Sequence, residues 1–294
     1  MRVFVTGASG WIGSAVLPEL IGAGHQVLGL ARSDASAATV AATGADVLRG
    51  DLKDPVVLRA GAAGCDGVIH LAFVHDFTDF EGAVRADALA VQALGGALEN
   101  TGKPLVVTAG TPAVAGRVAT ERDTAEPGSM AAGRERNAAL ALATADRGVR
   151  PAVLRLPRSV HGAGDRHGFV AQLTATARER GVAGYVGDGS SRWPAVHVRD
   201  AAHLYRLALE NAPAGSVLHA VGDEGVPTRD IATAIGGALN LPTASVPRED
   251  FGFLGPLLAL DQPASAAATR ELLGWEPVGP GLIEDIDQGR YLSP

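Results

Sequence analysis

The first thirteen residues, Met1-Arg2-Val3-Phe4-Val5-Thr6-Gly7-Ala8-Ser9-Gly10-Trp11-Ile12-Gly13, constrain the fold more than any other part of the chain. A short apolar run leads straight into three glycines spaced three apart, and an amphipathic segment follows. Each glycine has its own task in such an arrangement. Gly7 permits a tight turn, Gly10 lets the backbone approach a ligand, and Gly13 lets a helix sit close to a strand. The helix then presents unpaired N–H groups and the positive end of its dipole, so the arrangement can hold a pyrophosphate. Glycines alone also mark ordinary turns. Here the strand before and the helix after supply the context that the reading needs.

The same alternation continues through the first half. Strands are expected at 3–5, 26–30, 45–48, 67–71, 105–108 and 152–156. Helices are expected near 11–23, 35–43, 81–98 and 130–146. In the first of them Ile12, Val16, Leu17, Leu20 and Ile21 recur at helical spacing. Asp54-Pro55 opens another helix with a capping residue followed by proline. This rhythm predicts an α/β fold of the Rossmann type, a doubly wound and mostly parallel sheet. After Pro157 the rhythm loosens, with loop signals at Gly162-Ala163-Gly164-Asp165 and 187–191. Helix candidates follow at 169–180, 199–211, 229–239 and 265–273. Residues 1–160 are therefore expected to form a dinucleotide-binding domain. Residues 161–294 should form mainly a smaller substrate-binding lobe, interleaved with late sheet elements.

At 294 residues and 47% hydrophobic content the chain can build one large core with a lobe. A net charge of −7 argues against a nucleic-acid partner. Cys65 is the only cysteine, which excludes an intrachain disulfide and a multi-thiolate zinc site and suits a reducing compartment. The N-terminus lacks the apolar length of a signal peptide, and no stretch approaches the ~20 apolar residues that span a bilayer. The expectation is a cytoplasmic protein with a small-molecule substrate and no membrane partner. A homodimer is expected only from the fold type. There is no phosphate loop ending in Gly-Lys-Ser/Thr, no Gly-x-Ser-x-Gly elbow and no His-Glu-x-x-His, so no metal site is expected.

The second strand ends in Gly29-Leu30-Ala31-Arg32-Ser33-Asp34. At this tip an acidic residue would bind a ribose 2′-hydroxyl, whereas arginine suits a 2′-phosphate. Arg32 and Ser33 point to NADPH (NADP) over NADH. Asp34 folded back toward the ribose is the competing reading.

Thr6-Gly7-Ala8-Ser9-Gly10-Trp11-Ile12-Gly13 resembles the TGxxGxxG loop of the extended short-chain dehydrogenase/reductase family, whose members are NAD-dependent epimerase/dehydratase-like. Gly50-Asp51-Leu52 resembles its adenine-side turn, and His70-Leu71-Ala72-Phe73 its segment over the cofactor. Leu154-Arg155-Leu156-Pro157-Arg158-Ser159-Val160-His161-Gly162 resembles its LRPxxVYG stretch beside the nicotinamide. Trp193-Pro194-Ala195-Val196-His197-Val198-Arg199-Asp200 resembles its FVHVDD segment. These matches run in family order from residue 3 to about 205. The resemblance implies cofactor contacts at Gly7, Ser9, Gly10, Trp11, Ile12, Gly13, Arg32, Ser33, Asp51, Leu52, Leu71, Ala72, Phe73, Arg134, Pro157 and Val160. Trp11 is expected to pack on the cofactor side of the first helix.

The chain departs from the family at its catalytic pair, a tyrosine with a lysine four residues later. The only lysines are Lys53 and Lys103, and the residues four before them are Arg49 and Glu99. The tyrosines are Tyr185, Tyr205 and Tyr291. Counting back from Leu154 puts the pair at Met130 and Arg134. Met130 cannot transfer a proton. Arg134 could hold the ribose and supply positive charge but is too basic to shuttle a proton. The family's serine position falls on Thr111, which keeps a hydroxyl for a substrate oxygen. His75, with Asp76 beside it, and His161 are the candidates to replace the acid, with Tyr185 and His197 behind them. The resemblance implies an NADPH-dependent oxidoreductase of atypical short-chain type. It would transfer a hydride to a carbonyl or to an activated C=N or quinone-type substrate. An epimerase/dehydratase-like enzyme without net redox change and a catalytically inactive NADP(H)-binding sensor are the alternatives.

Overall fold

The computed structural model describes residues 1–74, 79–129 and 131–291. Strands and helices alternate through β1 (Arg2–Thr6), α1 (Trp11–Gly22), β2 (Gln26–Ala31), α2 (Asp34–Ala41), β3 (Asp46–Arg49), α3 (Pro55–Ala63), β4 (Gly67–His70), α4 (Phe80–Ala97), β5 (Pro104–Gly110), α5 (Ala132–Leu142) and β6 (Arg150–Leu156). The second half continues with β7 (Ser159–His161), α6 (Phe169–Arg180), β8 (Ala183–Tyr185), β9 (Arg192–His197), α7 (Val198–Asn211), β10 (Ser216–His219), β11 (Asp223–Pro227), α8 (Thr228–Leu239) and β12 (Thr243–Ser245). The short helices α9 (Leu254–Leu258), α10 (Ala267–Leu273) and α11 (Leu282–Asp287) close the chain.

The main sheet has seven strands in the order β10-β6-β5-β4-β1-β2-β3, and every pairing in it is parallel. Its central strands are buried on both faces, as a parallel sheet between two helix layers must be. Side-chain alternation sorts the two layers. Val3 and Val5 of β1 join Val16, Leu17 and Leu20 of α1 and Leu204 and Leu209 of α7 in one core. Phe4, one residue out of phase, joins Leu58 of α3 and Val91, Leu94 and Leu98 from the α4 region in the other. Asp54 caps α3 by accepting from the N–H groups of Val56 and Val57. Strand order reverses between β1 and β4, which opens a crevice at the carboxyl ends of these strands, where ligands of such sheets bind.

The smaller lobe has its own core around Trp193, Ile231, Ile235, Phe251, Leu282 and Ile286. It carries the sheet β11-β9-β7 and the pair β12-β8. Three of these strands are only three residues long, too short to show a two-residue period in the sequence. Between its pieces the chain returns to the main body: α7 packs on α1, and β10 forms the edge of the large sheet beside β6. Hydrogen bonds sew the late segments in. The Asp200 carboxylate on α7 accepts from the backbone N–H groups of Val278 and Gly279 at 3.0 and 2.9 Å, and its carbonyl accepts from the buried Trp275 indole at 3.0 Å. Among the described residues no helix is long and apolar enough to cross a membrane.

Candidate active site

A cleft of about 1560 Å³ lies over the carboxyl ends of the sheet strands. Its floor is the glycine loop, and the space around each glycine shows what the loop can accept. Gly7 has φ +68°, and a Cβ there would stand 2.7 Å from the Ala72 nitrogen. A Cβ on Gly13 would lie 2.4 Å from the carbonyl oxygens of both Gly7 and Ala8. A Cβ on Gly10 would meet only the Gly7 oxygen, at 3.2 Å, and otherwise open space. Two glycines thus close the loop against its surroundings, while the third leaves backbone bare toward the cleft. Gly10 caps α1 in extended conformation with no side chain on the first-turn N–H groups, so the donors of Trp11, Ile12 and Gly13 are available to an anion. These residues fit the pyrophosphate of a dinucleotide. The Trp11 indole donates to the Val160 carbonyl at 2.8 Å and joins the loop to β7.

At one end of the cleft stands Arg32, the first residue after β2. It is exposed and makes no hydrogen bond or ion pair among the described residues. Asp34 is turned the other way, with its carboxylate accepting from Arg49 at 2.7 Å. Ser33 caps α2, its hydroxyl accepting from the Ser36 N–H at 3.2 Å while the Ser33 N–H donates to the Ser36 hydroxyl at 2.9 Å. Asp51 and Leu52 line the same end, with Asp51 accepting from the Lys53 N–H.

The β4 tip is held from behind by a buried polar chain. Thr6 Oγ1 and His70 Nδ1 are 2.7 Å apart, and the Ala72 N–H donates to Thr6 Oγ1 at 3.3 Å. On its far side His70 Nε2 meets Asp87 at 3.2 Å, and the Asn137 amide donates to the other Asp87 oxygen at 2.7 Å. Burial alone would raise the Asp87 pKa. The bonds from His70 and Asn137 and the charge of Arg134 outweigh it and hold the carboxyl below its usual range. This chain fixes Leu71, Ala72 and Phe73 along the cleft wall.

The other end gathers Thr108, Thr111, Arg134, Pro157, Arg158 and Val160. Arg134 donates to the Thr108 carbonyl at 2.7 Å, and its guanidinium lies 4.3 Å from the Phe73 ring centre. Burial lowers its pKa and the charge of Asp87 opposes that, so the group stays cationic. Thr111 is 2% exposed, and its hydroxyl has no hydrogen-bond partner among the described residues. Its carbonyl accepts from the Gln262 amide at 2.5 Å.

The candidates for a replacement acid fare differently. His75, Asp76 and Met130 lie outside the described residues. The structure places His161 behind the cleft wall. On β7, Val160 lines the cleft but His161 does not; the imidazole is 1% exposed, and its Nδ1 lies 3.0 Å from the buried Asp285 carboxylate. It ties β7 to α11. His197 is not in the cleft wall either: its ring accepts from the Arg199 N–H at the start of α7, and burial, then the neighbouring His161, lowers its pKa. Tyr205 is fully buried, with its hydroxyl 2.7 Å from Thr108 Oγ1, and burial pushes its pKa strongly up. Tyr185 packs under Arg229 outside the cleft. Among the cleft residues that sequence reasoning passed over are Arg158, Asp165, Arg166, His167 and Gln262. Asp165 had a signal, because aspartate three residues before a glycine is a turn pattern. Its carboxylate accepts from the N–H groups of His167 and Gly168 in the turn before α6, and burial raises its pKa.

The model of the NAD dependent epimerase/dehydratase family matches residues 3–220. The chain belongs to this family. Family members resemble it to different depths. The Saccharomyces cerevisiae protein YLL056C is 47% identical over 97% of this chain and 98% of its own length. A 2-alkyl-3-oxoalkanoate reductase of Stenotrophomonas maltophilia is 28% identical, covering 82% of this chain and 77% of that protein. Among solved structures, a double mutant of the dTDP-glucose 4,6-dehydratase DesIV from Streptomyces venezuelae, with NAD and DAU bound, superposes with a TM-score of 0.82. It covers 99% of this chain and 96% of that one, at 18% identity, and shares the fold. Reductases, dehydratases and epimerases thus stand among the likenesses of this epimerase/dehydratase-family chain, and a nicotinamide cofactor is common to the family.

Proposed function

We propose that this protein is an NADPH-dependent reductase of a small-molecule carbonyl compound, with an atypical active site. The observation that carries the reading is the Thr111 hydroxyl, buried in the cleft wall without a partner among the described residues, at the end of the cleft that also carries the cationic Arg134. A buried hydroxyl left unpaired costs about 1–3 kcal/mol, and a substrate oxygen would relieve it. Thr111 would donate to that oxygen and orient it, and the positive charge of Arg134 would favour the negative charge that grows there. When bound, NADPH would supply the hydride to the carbonyl carbon. The proton for the oxygen would come from water or from an imidazole, His75 after β4 or His167 in the cleft wall. The choice of NADPH rests on Arg32, which makes no ion pair among the described residues, while Asp34 is engaged by Arg49. The name of the Stenotrophomonas relative supports ketone reduction.

The test is a titration of the purified protein with NADPH and NADH, followed by NADPH oxidation across carbonyl, imine and quinone panels. Tighter NADPH binding with turnover of a ketone or aldehyde is expected. Binding without turnover on all panels would favour a sensor, and failure to bind either nucleotide would refute the reading.

A further inference from the structure

Arg158 sits between β6 and β7, at the end of the cleft that holds Thr111. Its guanidinium lies 5.9 Å from the Trp193 ring centre and 6.0 Å from that of Phe169. One terminal nitrogen donates to the side-chain carbonyl of Gln262. Its Nε is buried and has no partner among the described residues. No carboxylate lies within ion-pair distance of it among the described residues. The neighbouring Arg155 shows the ordinary solution, with a bond to Glu135 at 2.7 Å. Two acids of the cleft wall are engaged elsewhere: Glu135 by Arg155, and Asp165 by two backbone N–H groups.

A cation removed from water without an anion is costly, and proteins pair such charges or neutralise them. Burial pulls the Arg158 pKa down to about 10, which still leaves it charged near neutrality. The missing anion can therefore come from a ligand in the cleft. Gln262 fixes where. Its amide oxygen accepts from Arg158 and its amide nitrogen donates to the Thr111 carbonyl at 2.5 Å. One side chain thus locks the cation and the partnerless hydroxyl into a single frame. A planar carboxylate matches a guanidinium edge with parallel N–H···O bonds.

We infer that Arg158 binds a carboxylate of the substrate, so that the substrates are oxo acids held with the ketone at Thr111 and the acid group at Arg158. This rests on the reductase reading above. Phe169, Leu257 and Leu260 line the same wall and would take an apolar chain.

The experiment pairs 2-, 3- and 4-oxo acids with their methyl esters. Each is offered to the wild type and to Arg158→Gln, with affinity read by thermal shift with and without saturating NADPH and turnover by NADPH oxidation. In the wild type at least one acid should bind and react tenfold or more better than its ester, and Arg158→Gln should erase that preference through KM. Gln262→Glu, which places a carboxylate beside Arg158, should lower acid affinity by at least as much while the protein remains folded. Equal handling of acids and esters by the wild type, or an acid preference that survives Arg158→Gln, overturns the inference. If NADPH does not bind but acids still stabilise the wild type and not Arg158→Gln, the anion site stands and the reductase reading falls. If no acid binds under either condition, the anion site itself is wrong.

Discussion

Replacing Arg32 with alanine should cost NADPH binding and spare NADH. The size follows from where Arg32 stands. It is exposed, and no ion pair or hydrogen bond holds it among the described residues. Its truncation breaks nothing in the fold, so binding alone should report the change. Two unit charges about 4 Å apart interact by about 1 kcal/mol in bulk water and more nearer a protein surface. A phosphate monoester carries roughly −1.5 to −2 charges near neutrality, which scales the attraction up. Exposure and salt scale it back down. A net loss of about 1–2 kcal/mol is the expected balance, or roughly a 5- to 30-fold weaker Kd at 1.4 kcal/mol per decade. Fluorescence titration of wild type and variant with both nucleotides measures it, at low and at high salt. NADPH affinity should fall by that factor at low salt and by less at high salt, with NADH affinity unchanged. An equal loss for both nucleotides, or none for NADPH, would refute the assignment of Arg32 to a 2′-phosphate. A variant Arg49→Ala adds a control, since freeing Asp34 should tilt the preference toward NADH.

Thr111→Val removes a hydroxyl that has no partner, so the melting temperature should not fall. Turnover should drop by about 10²-fold if that hydroxyl binds the reacting oxygen, and unchanged turnover would exclude it. Gly13→Ala forces a methyl group to 2.4 Å from two carbonyl oxygens. Overpacking of this kind costs about 1–3 kcal/mol, so both the melting temperature and nucleotide affinity should fall; a wild-type melting curve would contradict the packing role. The buried His219 accounts for a pH dependence. Its Nδ1 lies 2.8 Å from the Ser265 carbonyl, and burial pushes its pKa down to about 4 from 6.5. Between those two values the unfolded chain binds a proton that the folded protein refuses. Stability from this group is therefore complete above about pH 6.5 and declines as the pH falls toward 4, by about 3 kcal/mol at most. Denaturant midpoints across this range should slope for the wild type and slope less for His219→Gln. Equal slopes would mean that His219 does not refuse the proton.

The parts of the site that could be read in the sequence are those governed by local sterics. The glycine loop is one, because each glycine is required by contacts within a strand, a turn and a helix. Arg32 is another, since its place at a strand tip is set by the strand. What could not be read depends on partners far along the chain. Asp34 might have reached a ribose, and its true direction is decided by Arg49 on the next strand. His161 is a candidate acid because it takes the tyrosine's place in the LRPxxVYG-like stretch; Ser159-Val160-His161 is too short to show which face each residue takes, and its partner Asp285 is 124 residues away. Arg158 occupied an unremarked position in a matched stretch. Its interest appears only when Gln262, 104 residues later, is seen beside it and a carboxylate is not. The short strands of the lobe were missed for the same reason, as their pairings join distant segments.

The return of the chain to the large sheet has a consequence for how such a protein can change its work. The lobe is entered after β6 and left to build α7 and β10, then entered again. Asp200 and Trp275 bind the later segment back onto the sheet helix. A lobe threaded in this way cannot be exchanged whole, as a cassette between two cut points can, because any such cut removes an edge strand from the nucleotide half. New substrates must be reached by altering single positions along the shared wall, such as Arg158 and Gln262, while the framework stays in place. The same threading implies that neither half can unfold without exposing the core of the other, so a single cooperative melting transition is what the architecture dictates.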